Sequence, residues 1–569
     1  MADDQERSFL AWFAQHGGWI DSSLSLQKIP GMGRGLVATR PIEENERLFT
    51  IPRSMLMNLD TSALQAQCEA AEEANPPQQG LAWSDLVARG WCPLILMLLW
   101  EHWRASTQSC EGGMEWGAYF GIMPATFSTP MFWSSDELKG LVGTDVEDKI
   151  GREDAEADYR ECVLPYIRQY AHVFLGAEAT NVEAGIATWY SVDMYHRMGS
   201  SILSRSFHVK RDLSEAEPDE ADITSAPAEV AVVRAMPQED EHENEESDNE
   251  VDIDIDDENE SEEEGDDENV RDISMVPMAD MLNAKFGSEN TRCFYKREAL
   301  EMRCTKPIAV GEQLLNTYGN PPNSDLLRRY GFVDEPNRGD LVEIPATMLV
   351  EAAAAKLMKA TGADDASVMN VLTPRFEWAC AELGVDEVFL LSRLSKPTNE
   401  PPYGSTLALD PSKTLDSAQK RTLSRAASEI PDELIGFTRL LLLTGHGFER
   451  AQKKEALPNA RLDAVEELDA SWPGSPPVGA AIAVSSVLLD ALTLRMNKYP
   501  MSWEDTAAAL ASSSLSSEDP CRMALVVRAG DQAILQEHAV VFDMVLAQAR
   551  AEAAKSSSGS SSSMKKARK

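Results

Sequence analysis

Residues 275–333 read MVPMADMLNAKFGSENTRCFYKREALEMRCTKPIAVGEQLLNTYGNPPNSDLLRRYGFV. Two features stand out. The first is Ala279-Asp280-Met281-Leu282-Asn283-Ala284, a short apolar run ending on a polar Asn. The second, starting 33 residues beyond Asn283, is Asn316-Thr317-Tyr318-Gly319, followed by PNSDLLRRYGF at 322–332. Between them the pattern predicts strands at 292–296 and 299–305. A turn at Val310-Gly311-Glu312 leads to a third strand at 313–318. On periodicity alone this is a three-stranded antiparallel unit with a helix behind it.

Upstream, 24–29 reads as a short strand. Gly31-Met32-Gly33-Arg34-Gly35 follows, then strand residues at 36–39 and 47–51. Alternate glycines ahead of a helix would point to a dinucleotide site. Here a strand follows, which excludes that reading. Glycines lack Cβ, so their backbone groups can come close to a ligand. Taken by itself, the run is also compatible with a plain turn.

The net charge of −42 over 569 residues is partly local. Residues 239–268 carry 20 Asp or Glu and no Lys or Arg, and the remainder still carries −22. This balance argues against direct binding to nucleic acid or membrane phosphates and for a basic protein partner. The length allows two or three domains, and 43% hydrophobic residues fits a globular protein. The eight cysteines include no C-x-x-C pair, which predicts reduced thiols and no metal cluster. The polar start MADDQERSF does not read as a secretory signal, and the apolar run 92–100 is too short to cross a bilayer.

An N-terminal helix is predicted within 1–23, over 4–16, ending at Gly17-Gly18. Residues 59–209 read as mostly helical, with helices at 61–74, 93–105, 154–170 and 183–197. The acidic stretch 210–272 cannot bury enough apolar surface to offset chain entropy and is expected to be a disordered loop. Beyond 342, helices are predicted at 345–360, 376–383, 415–427, 432–443, 478–498, 502–513 and 522–553. The Ser-rich end, 554–569, closes on MKKARK and is expected to be a disordered basic tail. It also reads as a weak import signal, which favours the nucleus over the cytoplasm.

Together, ADMLNA at 279–284, NTYG at 316–319, YGF at 330–332 and the glycine turn at 31–35 resemble the SET-domain lysine methyltransferases. Within that family they look most like the Rubisco large-subunit and ribosomal-protein methyltransferase group. The resemblance implies an α+β fold: a β-rich SET domain at 24–344 with a helical insertion at 59–209 and a disordered acidic loop at 210–272. An all-α substrate-binding domain at 345–553 would follow. One departure is plain. Ala284 stands where many relatives have His, so this position offers only backbone.

The resemblance also implies S-adenosyl-L-methionine as methyl donor, and no metal. It assigns cofactor contacts to Met32, Gly33, Arg34, Gly35, Arg205, Asn283, Ala284, Tyr318 and Phe332. Substrate contacts fall to Trp116, Arg205, Asp280, Tyr295, Tyr318 and Tyr330. The resemblance makes Tyr318 the catalytic residue, its hydroxyl expected to be directed at the transferring methyl group. By residue type, three of these have a second reading. Trp116 also reads as a core aromatic, Asp280 as a structural acceptor, and Arg205 as a surface cation at a helix end. A guanidinium would also suit the cofactor's carboxylate. The implied activity is monomethylation of a lysine in a large-subunit ribosomal protein. The alternatives are another non-histone protein, a histidine target, or a non-catalytic acidic binder of basic proteins.

Overall fold

The computed structural model describes residues 2–77, 80–107, 114–176, 180–209, 270–285, 287–335, 337–394, 407, 409, 415–458 and 479–566. Up to residue 269 the expected acidic loop lies outside them. Two compact units form. One is Met1–Ala125 with Glu153–Thr317, the other Thr126–Arg152 with Tyr318–Lys569.

Among the described residues the first unit holds ten strands: β1 (Trp19–Ile20), β2 (Leu24–Ile29), β3 (Gly33–Ala38), β4 (Arg47–Pro52), β5 (Ser206–His208), β6 (Ile273–Met275), β7 (Asn283–Ala284), β8 (Thr291–Tyr295), β9 (Ala299–Cys304) and β10 (Leu315–Asn316). Four make an antiparallel sheet in the order β1-β4-β9-β8. Its register sets Phe49 opposite Met302 and Ile51 opposite Leu300, and all four are buried. Because side chains alternate along a strand, Thr50, Glu301 and Phe294 stand on the other face. The helix Cys92–Thr107 is buried on almost every side. That is why its apolar residues run continuously instead of forming a stripe.

The third predicted strand behaves differently from expectation. Within 313–318 only Leu315–Asn316 is a strand, and it pairs in parallel with β7, Leu315 opposite Asn283 and Asn316 opposite Ala284. β9 cannot take it, because β4 and β8 already occupy both its edges. The chain turns at Gly311, which has φ 82 and whose N–H donates to the Ala38 carbonyl over 2.8 Å. The Leu314 N–H then donates to Leu36, also over 2.8 Å. Periodicity identifies a strand and is silent about its neighbour. The single helix expected at 183–197 is also two, Val182–Trp189 and Val192–Arg205. Ser191 lies between them, and its hydroxyl accepts the Met194 N–H as an N-cap.

β5 and β6 pair antiparallel, and the Val209 N–H donates to the Asp272 carbonyl over 2.7 Å. Both ends of the acidic stretch are therefore held side by side, and closing a loop there costs little. Deleting 239–268 is expected to leave the thermal unfolding midpoint unchanged. A lowered midpoint in calorimetry would show that the stretch contributes to the core.

In the second unit, β11 (Leu341–Pro345) and β12 (Val388–Ser392) form a two-stranded antiparallel ladder. Around it lie helices Ala346–Thr361, Asp365–Leu383, Ser417–Ser428, Asp432–Leu442, Gly445–Lys454, Gly479–Met496, Trp503–Ser512 and Pro520–Lys566. Their core includes Leu349, Ala353, Phe437, Leu440, Val487, Ile534 and Phe542. Asp365–Leu383 begins well before the predicted 376 and runs through Pro374. Asp364 starts it by accepting the Ser367 N–H over 2.8 Å. The last helix continues to Lys566, so its backbone enters the expected tail. Side chains from 552 onward lie outside the described residues.

Candidate active site

In the first unit, β2 and β3 form a hairpin whose tip carries Met32 and Gly33. Gly33 has φ 73, a conformation that favours glycine, and open space where a side chain would stand. Gly35 is needed for a different reason. A Cβ there would lie 2.9 Å from both Asn283 Nδ2 and Gln313 Nε2. The Asn283 amide uses that space to donate to the Arg34 carbonyl over 3.1 Å. Asn283 thus ties β7 to the glycine strand, and Ala284 follows it in the same short ladder. Gln313 Nε2 is buried and has no hydrogen-bond partner among the described residues. Arg34 turns its guanidinium away, donating to the Ile122 carbonyl over 2.9 Å and pairing with Glu6 at 3.4 Å. At this point of the site Arg34 can offer only its backbone.

Asp280 sits in a one-turn helix, Ala279–Met281, its side chain fully buried. Tyr119 Oη donates to its Oδ2 over 2.9 Å. Arg205, the last residue of Val192–Arg205, donates from Nη1 to the Asp280 carbonyl over 2.6 Å and stands 3.7 Å from Oδ2. Burial pushes the Asp280 carboxyl up to about 6, partly offset by the Arg205 charge and the Tyr119 hydrogen bond. The Arg205 side chain remains 24% exposed. Tyr119 itself is driven well above the ordinary tyrosine range by burial and by the carboxylate beside it.

Trp116 is buried against Trp12 and Tyr119, with ring centroids 5.6 and 6.0 Å away. Of its two sequence readings, this is the geometry of the core aromatic. Tyr295 ends β8 opposite Leu300, and burial raises its hydroxyl pKa.

In the second unit, Tyr318 and Tyr330 stack with ring centroids 4.4 Å apart and planes 15° from parallel. Phe332 follows at 6.2 Å from Tyr330. Gly331 makes this arrangement possible. It has φ 77, and a Cβ there would lie 2.9 Å from the backbone of Ser128 and Thr129. Its N–H closes the turn Leu326–Tyr330 onto the Leu326 and Leu327 carbonyls.

Sequence reasoning missed Tyr119 and Gln313. The available signal for Tyr119 was its place three residues after Trp116 in an aromatic helix turn. A buried tyrosine hydroxyl needs a polar partner, and that partner was not readable from the sequence.

The chain is 30% identical over 324 residues to ribosomal lysine N-methyltransferase 4 of Saccharomyces cerevisiae, covering 56% of this chain and 53% of that one. It is 27% identical over 378 residues to N-lysine methyltransferase setd6 of Xenopus laevis, covering 65% and 66%. It therefore spans between about half and two thirds of the length of these curated relatives. A solved structure described as Rubisco LSMT bound to AdoMet shares its fold, with a TM-score of 0.51 at 15% identity over 96% of this chain and 93% of that one. A family model of the SET domain matches residues 33–319, half of the chain, and on that match the chain belongs to the SET-domain family.

Proposed function

We propose that this chain is an S-adenosylmethionine-dependent protein-lysine N-methyltransferase acting on a basic protein. A large-subunit ribosomal protein, modified mainly to monomethyllysine, is the preferred substrate, and the nucleus the preferred location. The carrying observation is the close approach of Gly35, Asn283 and the Arg34 carbonyl inside the SET match. This approach suits the methyl donor, because the Asn283 amide fixes the glycine strand while Gly33 at its tip leaves open space beside its backbone. Gln313 Nε2, buried without a partner beside Gly35, is a spare donor of the kind such a ligand uses.

When bound, S-adenosylmethionine supplies an electrophilic methyl group. The residues of the chain have to align and deprotonate the amine. A free lysine has a pKa of roughly 10.4, so little of it is neutral near neutrality. Aromatic surroundings disfavour the ammonium by desolvation and limit its positions. The resemblance assigns that work to Tyr318, Tyr330 and Tyr295. Tyr318 orients the nitrogen through its hydroxyl, and Tyr330 braces the Tyr318 ring by stacking. Asp280 and Arg205 are assigned to substrate positioning, Phe332 to the adenine.

Two observations support a basic protein as substrate. One is the charge of −42, the other the similarity to the yeast ribosomal-protein enzyme. A second reading, another non-histone protein, is favoured by the similarity to N-lysine methyltransferase setd6, which covers more of the chain. Labelled-methyl transfer to fractionated ribosomal proteins, read by intact mass, separates the two. Methylation of non-ribosomal proteins alone, or a trimethylated product, would refute the preferred substrate. A chain that binds no S-adenosylmethionine would instead be an acidic binding module.

Gly35→Ala tests the cofactor reading directly. The new methyl group forces the Asn283 amide off the Arg34 carbonyl. Loss of one buried hydrogen bond costs about 1–2 kcal/mol, so S-adenosylmethionine affinity should fall about tenfold. Calorimetry showing undiminished affinity would remove the glycine strand from the cofactor site.

A further inference from the structure

We propose that Tyr119 is a positioning residue of this site. Its hydroxyl holds one oxygen of the Asp280 carboxylate, and through that carboxylate it sets the stance of the Arg205 guanidinium. The proposal rests on the methyltransferase reading of Asp280 and Arg205 and extends it to a residue that reading did not include.

Tyr119 belongs to the helix Gly117–Ile122 and is completely buried. Its ring is fixed on three sides. Trp12 lies nearly parallel to it at 6.3 Å, Phe9 stands at 6.3 Å and Trp116 at 6.0 Å. A ring held in this way points its hydroxyl in one direction, and that direction is Asp280 Oδ2, 2.9 Å away. Tyr119 and Asp280 are 161 residues apart in the chain, so the tertiary fold alone brings them together.

The carboxylate is poised, not relaxed. Oδ1 is buried and accepts no hydrogen bond among the described residues. Two residues earlier, fully buried Met278 has φ 83 and ψ −49, a region that side-chain-bearing residues avoid. A core that required only stability would place a Phe and an apolar partner here, because an incompletely bonded buried carboxylate is costly. What the arrangement provides is order in Arg205. This long side chain would otherwise sample many rotamers at the end of its helix. It is anchored instead to the Asp280 carbonyl and lies beside Oδ2 while staying partly exposed. Fixing a working side chain through groups locked behind it is how sites gain precision.

Two titratable or charged groups among the described residues face Asp280: Tyr119 from Gly117–Ile122 and Arg205 from Val192–Arg205. The N-terminal helix Ala2–Gln15 adds only the Phe9 and Trp12 rings, against Tyr119. The Tyr119 hydrogen bond favours the charged carboxylate, so its loss moves the Asp280 pKa further up.

The test is a cycle of Tyr119→Phe, Asp280→Asn and the double variant in the full chain. Tyr119→Phe keeps the ring and its stacking. The methyl-transfer rate near neutral pH should fall about tenfold, the usual size of one lost buried hydrogen bond. The acid limb of the kcat profile should move to higher pH, so that activity partly recovers in alkali. In the Asp280→Asn background, Tyr119→Phe should add little, because both act through one carboxylate. A loss equal at every pH, or effects that multiply, would overturn the proposal.

A second readout needs no activity. With a folded pKa near 6 against 3.8 for a free Asp, the folded chain keeps a proton that the unfolded chain releases. This group's contribution to stability therefore falls as pH rises from about 4 to about 6. In Tyr119→Phe that fall should extend to higher pH in thermal midpoints. An active wild type with an unshifted thermal profile overturns the positioning role alone. A wild type that transfers no methyl group overturns the transferase reading, and with it any role in that reaction, even if the profile shifts.

Discussion

Replacing Tyr318 by Phe is expected to lower the methyl-transfer rate by about 10²-fold or more, the scale of removing one polar contact made in the transition state. The ring stays, and so does its stacking on Tyr330 at 4.4 Å. Folding and thermal stability should therefore be close to wild type. Because the hydroxyl is assigned to orienting the reacting nitrogen, the loss belongs in kcat, and the Michaelis constant should change little. Steady-state kinetics on a lysine protein, with calorimetry for S-adenosylmethionine, separates the two. Unchanged turnover would remove Tyr318 from the reaction. An equal loss of cofactor affinity would make its role one of binding.

Arg495→Ala is expected to destabilise the second unit by about 3–5 kcal/mol, the cost of leaving a buried charge without its partner. Arg495 and Asp145 pair at 2.6 Å with side chains only 4% and 9% exposed. The same guanidinium donates to the Gly143 carbonyl over 2.6 Å and the Glu343 carbonyl over 3.0 Å. One residue thus joins the segment Thr126–Arg152 to the strand and helices of its unit, and its loss strands three acceptors at once. Tyr499 stacks under it at 4.8 Å, and its hydroxyl donates to buried Asp531. Denaturant unfolding should show a lower midpoint. Arg495→Lys should recover part of the loss, since a lysine keeps the charge and cannot make all three contacts. A midpoint within error of wild type would show that Asp145 is relieved by solvent.

Much of the architecture could be read from residue order. β8 and β9 fall within a residue of their predicted bounds, and the helices beyond 345 were visible in apolar spacing of about 3.6, except Gly445–Lys454 and the first half of Asp365–Leu383. These are local properties, written in neighbours a few positions apart. The glycine run at 31–35 showed that backbone had to approach something, and the Asn283 and Tyr318 stretches showed which family to compare.

The tertiary structure decided what depends on distant partners. That Gly35 must lack a Cβ follows from where the Asn283 and Gln313 side chains arrive, 248 and 278 positions later. The pairing of β10 with β7 instead of β9 depends on β4 having taken the vacant edge of β9. Trp116 falls to the core because the N-terminal helix brings Trp12 against it. Asp280 is a buried carboxylate, pushed up to about 6 because distant segments close over it and exclude water, while Tyr119 and Arg205, arriving from two helices, offset part of that rise. Local propensity records what a segment prefers. Which groups share a low-dielectric space is determined only when segments far apart in the chain exclude water together.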